Sequence, residues 1–244
     1  MLEQLSVPIL YADDDVWVVD KPAGLLVHRS RLDAHEEDTL VERLRQQAAL
    51  SSRDFLAPAH RLDKGTSGLL MLARHAEVAR RLGALFDAGA VHKRYVALVR
   101  GWPAPTLHCE HPLARDPERP SAGQPLLPAQ TTFERLACIE WPFSVDGRHP
   151  SSRYAVVSAQ PLTGRRHQIR RHLKHLAHPI VGDSTHGKGA HNRAVAAWLG
   201  VQRLWLHAQS LSLPHPMRPE QPLVLTAPLG AEWAAVLPAD HTGV

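Results

Sequence analysis

His60-Arg61-Leu62-Asp63-Lys64-Gly65-Thr66-Ser67-Gly68-Leu69-Leu70-Met71-Leu72-Ala73 passes from a charged, glycine-containing loop straight into an apolar run. The run from Leu69 to Ala73 is short and follows turn residues, so it reads as a buried strand and not as a piece of helix. Upstream, Ile9-Leu10-Tyr11 and Val16-Trp17-Val18-Val19 flank the acidic turn Asp13-Asp14-Asp15, which is a hairpin pattern. Lys21-Pro22-Ala23-Gly24 reads as a turn, followed by the apolar piece Leu25-Leu26-Val27. Thr39 to Leu50 predicts a helix with Leu40, Leu44 and Ala48 on one face. Ala57-Pro58-Ala59 is the loop that delivers the chain to His60.

Downstream, about Glu77 to Ala88 predicts a second helix, with Val78, Leu82, Leu85 and Phe86 apolar and Gly89 as its stop. Val91 to Arg100 then alternates as a strand: Tyr95, Ala97 and Val99 share one face, Arg94, Val96 and Leu98 the other. Nine of the 20 prolines fall between Pro103 and Pro150, which therefore reads as surface loops and edge hairpins. Thr163-Gly164 opens a third helix, about Arg165 to Leu176, with Ile169, Leu173 and Leu176 as its apolar stripe. Arg166, Arg170 and Lys174 form a separate basic stripe on that helix. Leu204 to Leu213 is a late strand before the turn Pro214-His215-Pro216. Hairpins interleaved with helices favour an α+β fold with a mixed sheet over a doubly wound parallel one.

The 244 residues are 44% hydrophobic and 21% charged, a globular balance that excludes wholesale disorder. No apolar stretch approaches the roughly 18 residues of a membrane span, and the start lacks the basic and apolar regions of a signal peptide. Two cysteines, Cys109 and Cys138, cannot build a disulfide framework or a thiolate zinc site; a reducing, cytoplasmic setting is expected. The net charge is only +4, yet Gln160 to Arg193 holds seven Lys/Arg against the single acid Asp183. That segment is +6 and the rest of the chain −2, which suits either a solvated face or a footprint for a polyanion. Arginine dominates the segment, and its planar fork matches phosphate oxygens.

Asp63 sits between Arg61 and Lys64, where fixed positive charge favours an ionised carboxylate suited to nucleophilic or electrostatic work. A structural ion pair at a turn is the plainer reading. Tyr95 follows Lys93 and Arg94 and could stack on a base and exchange a proton, or simply pack in a strand. Arg170 could pair with a buried carboxylate or a phosphate, or stand exposed on its helix. His172, His175 and His178 wind around the helix and do not present the i, i+4 pair of an HExxH zinc site, so no metal is expected. P-loop, GxGxxG and GxSxG patterns are missing from the sequence.

Taken together, several stretches resemble one family. His60 to Leu70 resembles the HRLDxxTSGLLL signature of the RluA family of pseudouridine synthases, and Thr163-Gly164-Arg165-Arg166-His167-Gln168-Ile169-Arg170-Arg171-His172-Leu173 its TGRxHQIRxHL element. Lys93 to Gly101 is similar to its KxYxALVxG strand, and Leu206-His207-Ala208 to its late LHA. Val18 to Gly24 is similar to its NKPxG turn, with Asp20 where Asn is usual. His175 to Asp183, His186-Gly187 and His191-Asn192-Arg193 resemble the TruC branch, which acts on uridine 65 of tRNA.

The resemblance implies a pseudouridine synthase catalytic fold with a largely antiparallel sheet, flanking helices and a central active-site cleft. It implies one catalytic domain over residues 1–244, without the N-terminal S4-type RNA-binding domain of some relatives. The expected reaction detaches uracil from C1′ of a flipped uridine and rejoins it through C5. Asp63 would be the catalytic carboxylate, Arg61 would fill the vacated stack, and Tyr95 would stack on the uracil and take the C5 proton. Arg170 would pair with Asp63 and hold it ionised. Lys93, Arg94, Arg165, Arg166, Arg171 and Lys174 would grip RNA. The expected partner is tRNA, with ribosomal RNA as the alternative; no protein partner is called for. An isomerisation is neither redox nor energy-consuming, so no cofactor is expected.

Overall fold

The computed structural model describes residues 6–29 and 35–237. In chain order its elements begin with β1 (Ile9–Ala12), β2 (Val16–Lys21), α1 (Leu40–Gln47), β3 (Ala57–Pro58), β4 (Ser67–Ala73) and α2 (Ala76–Asp87). Next come β5 (His92–Arg100), β6 (Thr106–Cys109), β7 (Leu113–Ala114), β8 (Leu126–Leu127), β9 (Thr131–Trp141) and β10 (Ser152–Pro161). The chain continues through α3 (Gln168–His175), α4 (Gly189–Leu199), β11 (Leu206–Pro214), β12 (Pro222–Thr226) and a short 3-10 helix, Ala231–Ala235. This is an α+β fold with a largely antiparallel sheet. The chain forms two compact units: one runs up to His92 and takes in Ala208–Pro228, the other comprises Lys93–His207 and the stretch from Leu229.

In the first unit the strands run β1-β2-β4-β11-β12, with β3 also on β4. The β1–β2 hairpin forms around Asp13, whose carboxylate accepts the N–H groups of Asp15 and Val16. Alternation does the packing. Val16 and Val18 of β2, Leu69, Met71 and Ala73 of β4, and Leu211 and Leu213 of β11 share one core, which Val78 and Leu82 of α2 close at helical spacing. All seven residues of β4 are buried, as expected of a central strand. Thr39 caps α1 by accepting the Glu42 N–H, and the helix stops at Gln47, short of the expected Leu50.

In the second unit the order is β5-β10-β9-β6, with β7 and β8 as a separate small pair. Residues 95–99 of β5 are buried on both faces. The proline-rich stretch reads as surface loops and edge hairpins, and a hairpin does form, but β9 is longer than that reading implies and pairs on both sides, with β10 and with β6. Pro128, Pro142 and Pro150 all lie outside the two strands, where missing N–H groups do no harm to the ladder. The third helix also differs from expectation: it starts at Gln168, not Arg165, because His167 adopts a left-handed conformation (φ 55°). Arg166 therefore lies on a turn and shares no helical stripe with Arg170 and Lys174. Arg170 is itself 7% exposed, which removes the exposed-helix reading of that residue. Among the described residues no helix is long and apolar enough to cross a membrane.

Candidate active site

The Asp63 loop belongs to the first unit and is fastened at several points. At its entry, the His60 ring accepts the Met71 N–H through Nε2 (3.1 Å). Leu62 points inward, while Arg61 and Lys64 are exposed and Asp63 is half-buried. The Asp63 carbonyl accepts the Thr66 N–H (3.0 Å), which closes a tight turn onto β4. The Lys64 carbonyl accepts both the Gly24 N–H (2.9 Å) and the Lys21 Nζ (3.1 Å). Lys21 is fully buried and also donates to the carbonyls of Pro22 (2.9 Å) and Leu25 (2.8 Å). Its ammonium therefore welds the Lys21–Gly24 turn to the loop, a role that its place in the sequence did not reveal. Beyond the loop, Gly68 (φ 103°) passes so close to β11 that a Cβ would lie 2.2 Å from the Ala208 carbonyl oxygen. Only glycine fits there.

The other candidates lie in the second unit. Tyr95 faces Ala159 across the β5–β10 ladder and is buried, so its ring is fixed by the sheet. Next to it, Arg94 donates through Nε to the Ser158 hydroxyl (3.0 Å), and burial pulls the pKa of the half-buried Lys93 ammonium down. The turn before α3 is organised by Gln168. Its Oε1 accepts the Thr163 hydroxyl (2.7 Å) and the Arg165 N–H (2.9 Å), and its Nε2 donates to the Gln130 carbonyl and the Thr131 hydroxyl, both at 2.9 Å.

Arg170 meets a carboxylate: Nε donates to Asp183 Oδ2 (2.7 Å) and Nη2 to Asp183 Oδ1 (2.8 Å). Burial pushes the Asp183 pKa upward, but the guanidinium and the His186 N–H outweigh it and hold the carboxyl below the usual carboxylate range. Both residues stood out in the sequence, Asp183 as the one acid of a basic segment and Arg170 as able to pair with a buried carboxylate; that they meet each other did not. The expected phosphate contacts are partly engaged within the unit. Arg166 pairs with Glu118 and, at 3.5 Å, with Asp116; Arg171 donates to the Ala114 carbonyl (2.8 Å) and Arg165 to that of Pro128 (3.0 Å). Lys174 is exposed.

The family described as RNA pseudouridylate synthase matches residues 15–175. The chain belongs to that family. This pseudouridine synthase is 39% identical over 234 residues to the "tRNA pseudouridine synthase C" of Vibrio cholerae, covering 94% of this chain and 93% of that one. It is 41% identical over 234 residues to the protein of the same name from Salmonella typhi, covering 94% and 88%. Among solved structures, the human RNA Pseudouridylate Synthase Domain Containing 1 is similar with a TM-score of 0.70 and 26% identity, over 91% of this chain and 83% of that one. The chain is thus an isomerase that converts uridine to pseudouridine.

Two groups of the synthase invite a metal reading. His172 spends both ring nitrogens on protein, Nδ1 with the Thr131 hydroxyl (3.0 Å) and Nε2 with the His111 carbonyl (2.9 Å), and burial lowers its pKa. Asp13, Asp15 and His215 bring ligand atoms within 4.8 Å of one another. There Arg218 already supplies the cation, its Nη2 lying 2.5 Å from Asp13 Oδ2. Against the upward push of burial, the Val16 N–H, the Tyr11 hydroxyl and the His215 ring draw the Asp13 pKa down to about 2.

Proposed function

We propose that this synthase isomerises a uridine of tRNA, at position 65 on the acceptor-stem side, and that it works in the cytoplasm. The observation that carries the reading is the likeness to tRNA pseudouridine synthase C proteins, near 40% identity along 94% of the chain. In the reaction the N1–C1′ glycosidic bond breaks, a C5–C1′ bond forms, C5 loses a proton and N1 gains one. The atoms balance without a co-reactant. Asp63 acts at C1′ or assists loss of its neighbouring proton. Arg61 fills the stack vacated by the flipped nucleotide, since a planar guanidinium can replace a base there. Tyr95 stacks on the uracil and takes the C5 proton, and Arg170 supplies a fixed positive charge for the reaction. Lys93, Arg94, Arg165, Arg166, Arg171 and Lys174 hold the RNA backbone. One catalytic domain suffices for this chemistry.

The test is pseudouridine mapping by carbodiimide adduct and primer extension, on unmodified tRNA incubated with the protein and with Asp63→Asn. A single new stop near position 65 that the variant does not produce is expected. A stop on ribosomal RNA alone would move the substrate, and a stop retained by Asp63→Asn would remove the carboxylate from its role.

A further inference from the structure

Buried ion pairs are poor stabilisers, because desolvating two charges offsets most of their attraction. Yet the second unit invests much local structure in one. Asp183 Oδ1 accepts the N–H groups of Thr185 (2.9 Å) and His186 (2.8 Å) besides Arg170 Nη2, and Oδ2 accepts Arg170 Nε. The backbone around it is just as determined. Gly182 (φ 79°) lies so close to Arg203 that a Cβ would be 1.7 Å from its carbonyl oxygen, and a Cβ on Gly187 would be 2.2 Å from the Asp183 carbonyl oxygen. Asn192 on α4 ties both sides of the turn, accepting the Gly182 N–H through Oδ1 (2.9 Å) and donating through Nδ2 to the Asp183 carbonyl (2.9 Å).

The same turn grips α3 a second time. The His186 ring, 8% exposed and with a pKa lowered by burial, meets the His167 ring at 3.1 Å, Nε2 to Nδ1. His167 is the left-handed residue that starts α3, three positions before Arg170. The turn thus fixes the helix start through one histidine pair and the guanidinium plane through one carboxylate. Two parallel N–H···O bonds leave a guanidinium no freedom to rotate about its terminal bonds.

We infer that Asp183 is a positioning residue for the isomerisation: carried on the Gly182–Gly187 turn and braced by Asn192, it sets the orientation of Arg170. The inference rests on the reading that Arg170 serves the reaction. Asp183→Asn retains the shape and an oxygen for the Thr185 and His186 N–H groups but replaces the acceptor for Arg170 Nε by an amide. With tRNA transcript as substrate, kcat should fall about 10- to 100-fold, the loss typical of a small misplacement near the chemistry. The tRNA Kd should stay within about twofold, a split that uniform loosening of the fold would not give. Because Asp183 acts through Arg170, the double variant Arg170→Lys/Asp183→Asn should be no slower than Arg170→Lys alone.

Full turnover by Arg170→Lys would overturn the role of Arg170 and this inference with it. A slow Arg170→Lys beside a normally active Asp183→Asn would overturn the inference alone. So would multiplicative losses in the double variant. Should Asp183→Asn fail to fold, Asn192→Ala decides: it leaves the ion pair in place and loosens the turn, and an unchanged kcat would end the proposal.

Discussion

Lys21 and Arg170 are both buried cations beside candidate catalytic segments, and they are held in opposite ways. Lys21 donates to three backbone carbonyls, drawing the Lys21–Gly24 turn and the Asp63 loop onto one point charge. Arg170 meets a carboxylate in a two-toothed fork that fixes a plane. An ammonium with rotatable hydrogens joins strands of backbone whose directions differ; a guanidinium transmits orientation. The first arrangement positions a loop, the second a side chain. Each also depends on a glycine with no room beside it, Gly68 in one unit and Gly182 in the other.

The largest effects should come from those glycines. Gly182→Ala and Gly68→Ala each combine a left-handed or otherwise positive φ with a backbone collision, and should cost about 3–5 kcal/mol in urea unfolding. Gly24→Ala shares the positive φ (87°) but meets nothing within 4 Å, so it should cost only about 1 kcal/mol. Equal losses at all three sites would mean that φ alone matters. Lys21→Met comes next. It leaves the carbonyls of Pro22 and Leu25 without their buried donor, at about 2–4 kcal/mol, and slows turnover by releasing the loop; unimpaired stability would dissolve the contrast with Arg170.

The smallest effect is one of pH. Burial lowers the pKa values of His172 and His186 in the fold, so protonation favours the unfolded chain. Their contribution is complete above the ordinary histidine value of about 6.5 and is lost as pH falls below it. The Tm should therefore drop between pH 7.5 and pH 5.5, and drop less in His172→Gln; an identical slope in the variant would discharge His172 from the effect.

The first unit was largely legible in the sequence, because it is built from short-range signals. The Asp13 turn, the apolar run of β4, the spacing of α2 and the stop at Gly89 each declare themselves within a dozen residues. The second unit hides its logic in longer range. Hairpins were legible there, but the length of β9 and its pairing on both sides were masked by proline density in a region where the prolines flank the strands. Helix α4 buries only Val195 and so shows little amphipathic pattern, although its Asn192 braces the Asp183 turn. Basic spacing around Arg166 imitated a helical stripe because nothing in a list of residues announces that a histidine will turn left-handed. The fork from Arg170 to Asp183 spans thirteen positions and a turn, beyond the reach of any periodicity.

The pairing of Arg166 with Glu118 and Asp116 bears on how substrate affinity would respond to ionic strength. A lone surface arginine that meets a phosphate lets a cation escape from the nucleic acid, and each such release steepens the fall of affinity with salt. For Arg166 to grip RNA as proposed, it would first have to surrender its carboxylates, which would then attract cations of their own. Some ions set loose from the RNA would then be recaptured by the protein. A salt titration would accordingly count fewer phosphates than the protein touches, and the shortfall would measure exchanged partners and not missing contacts.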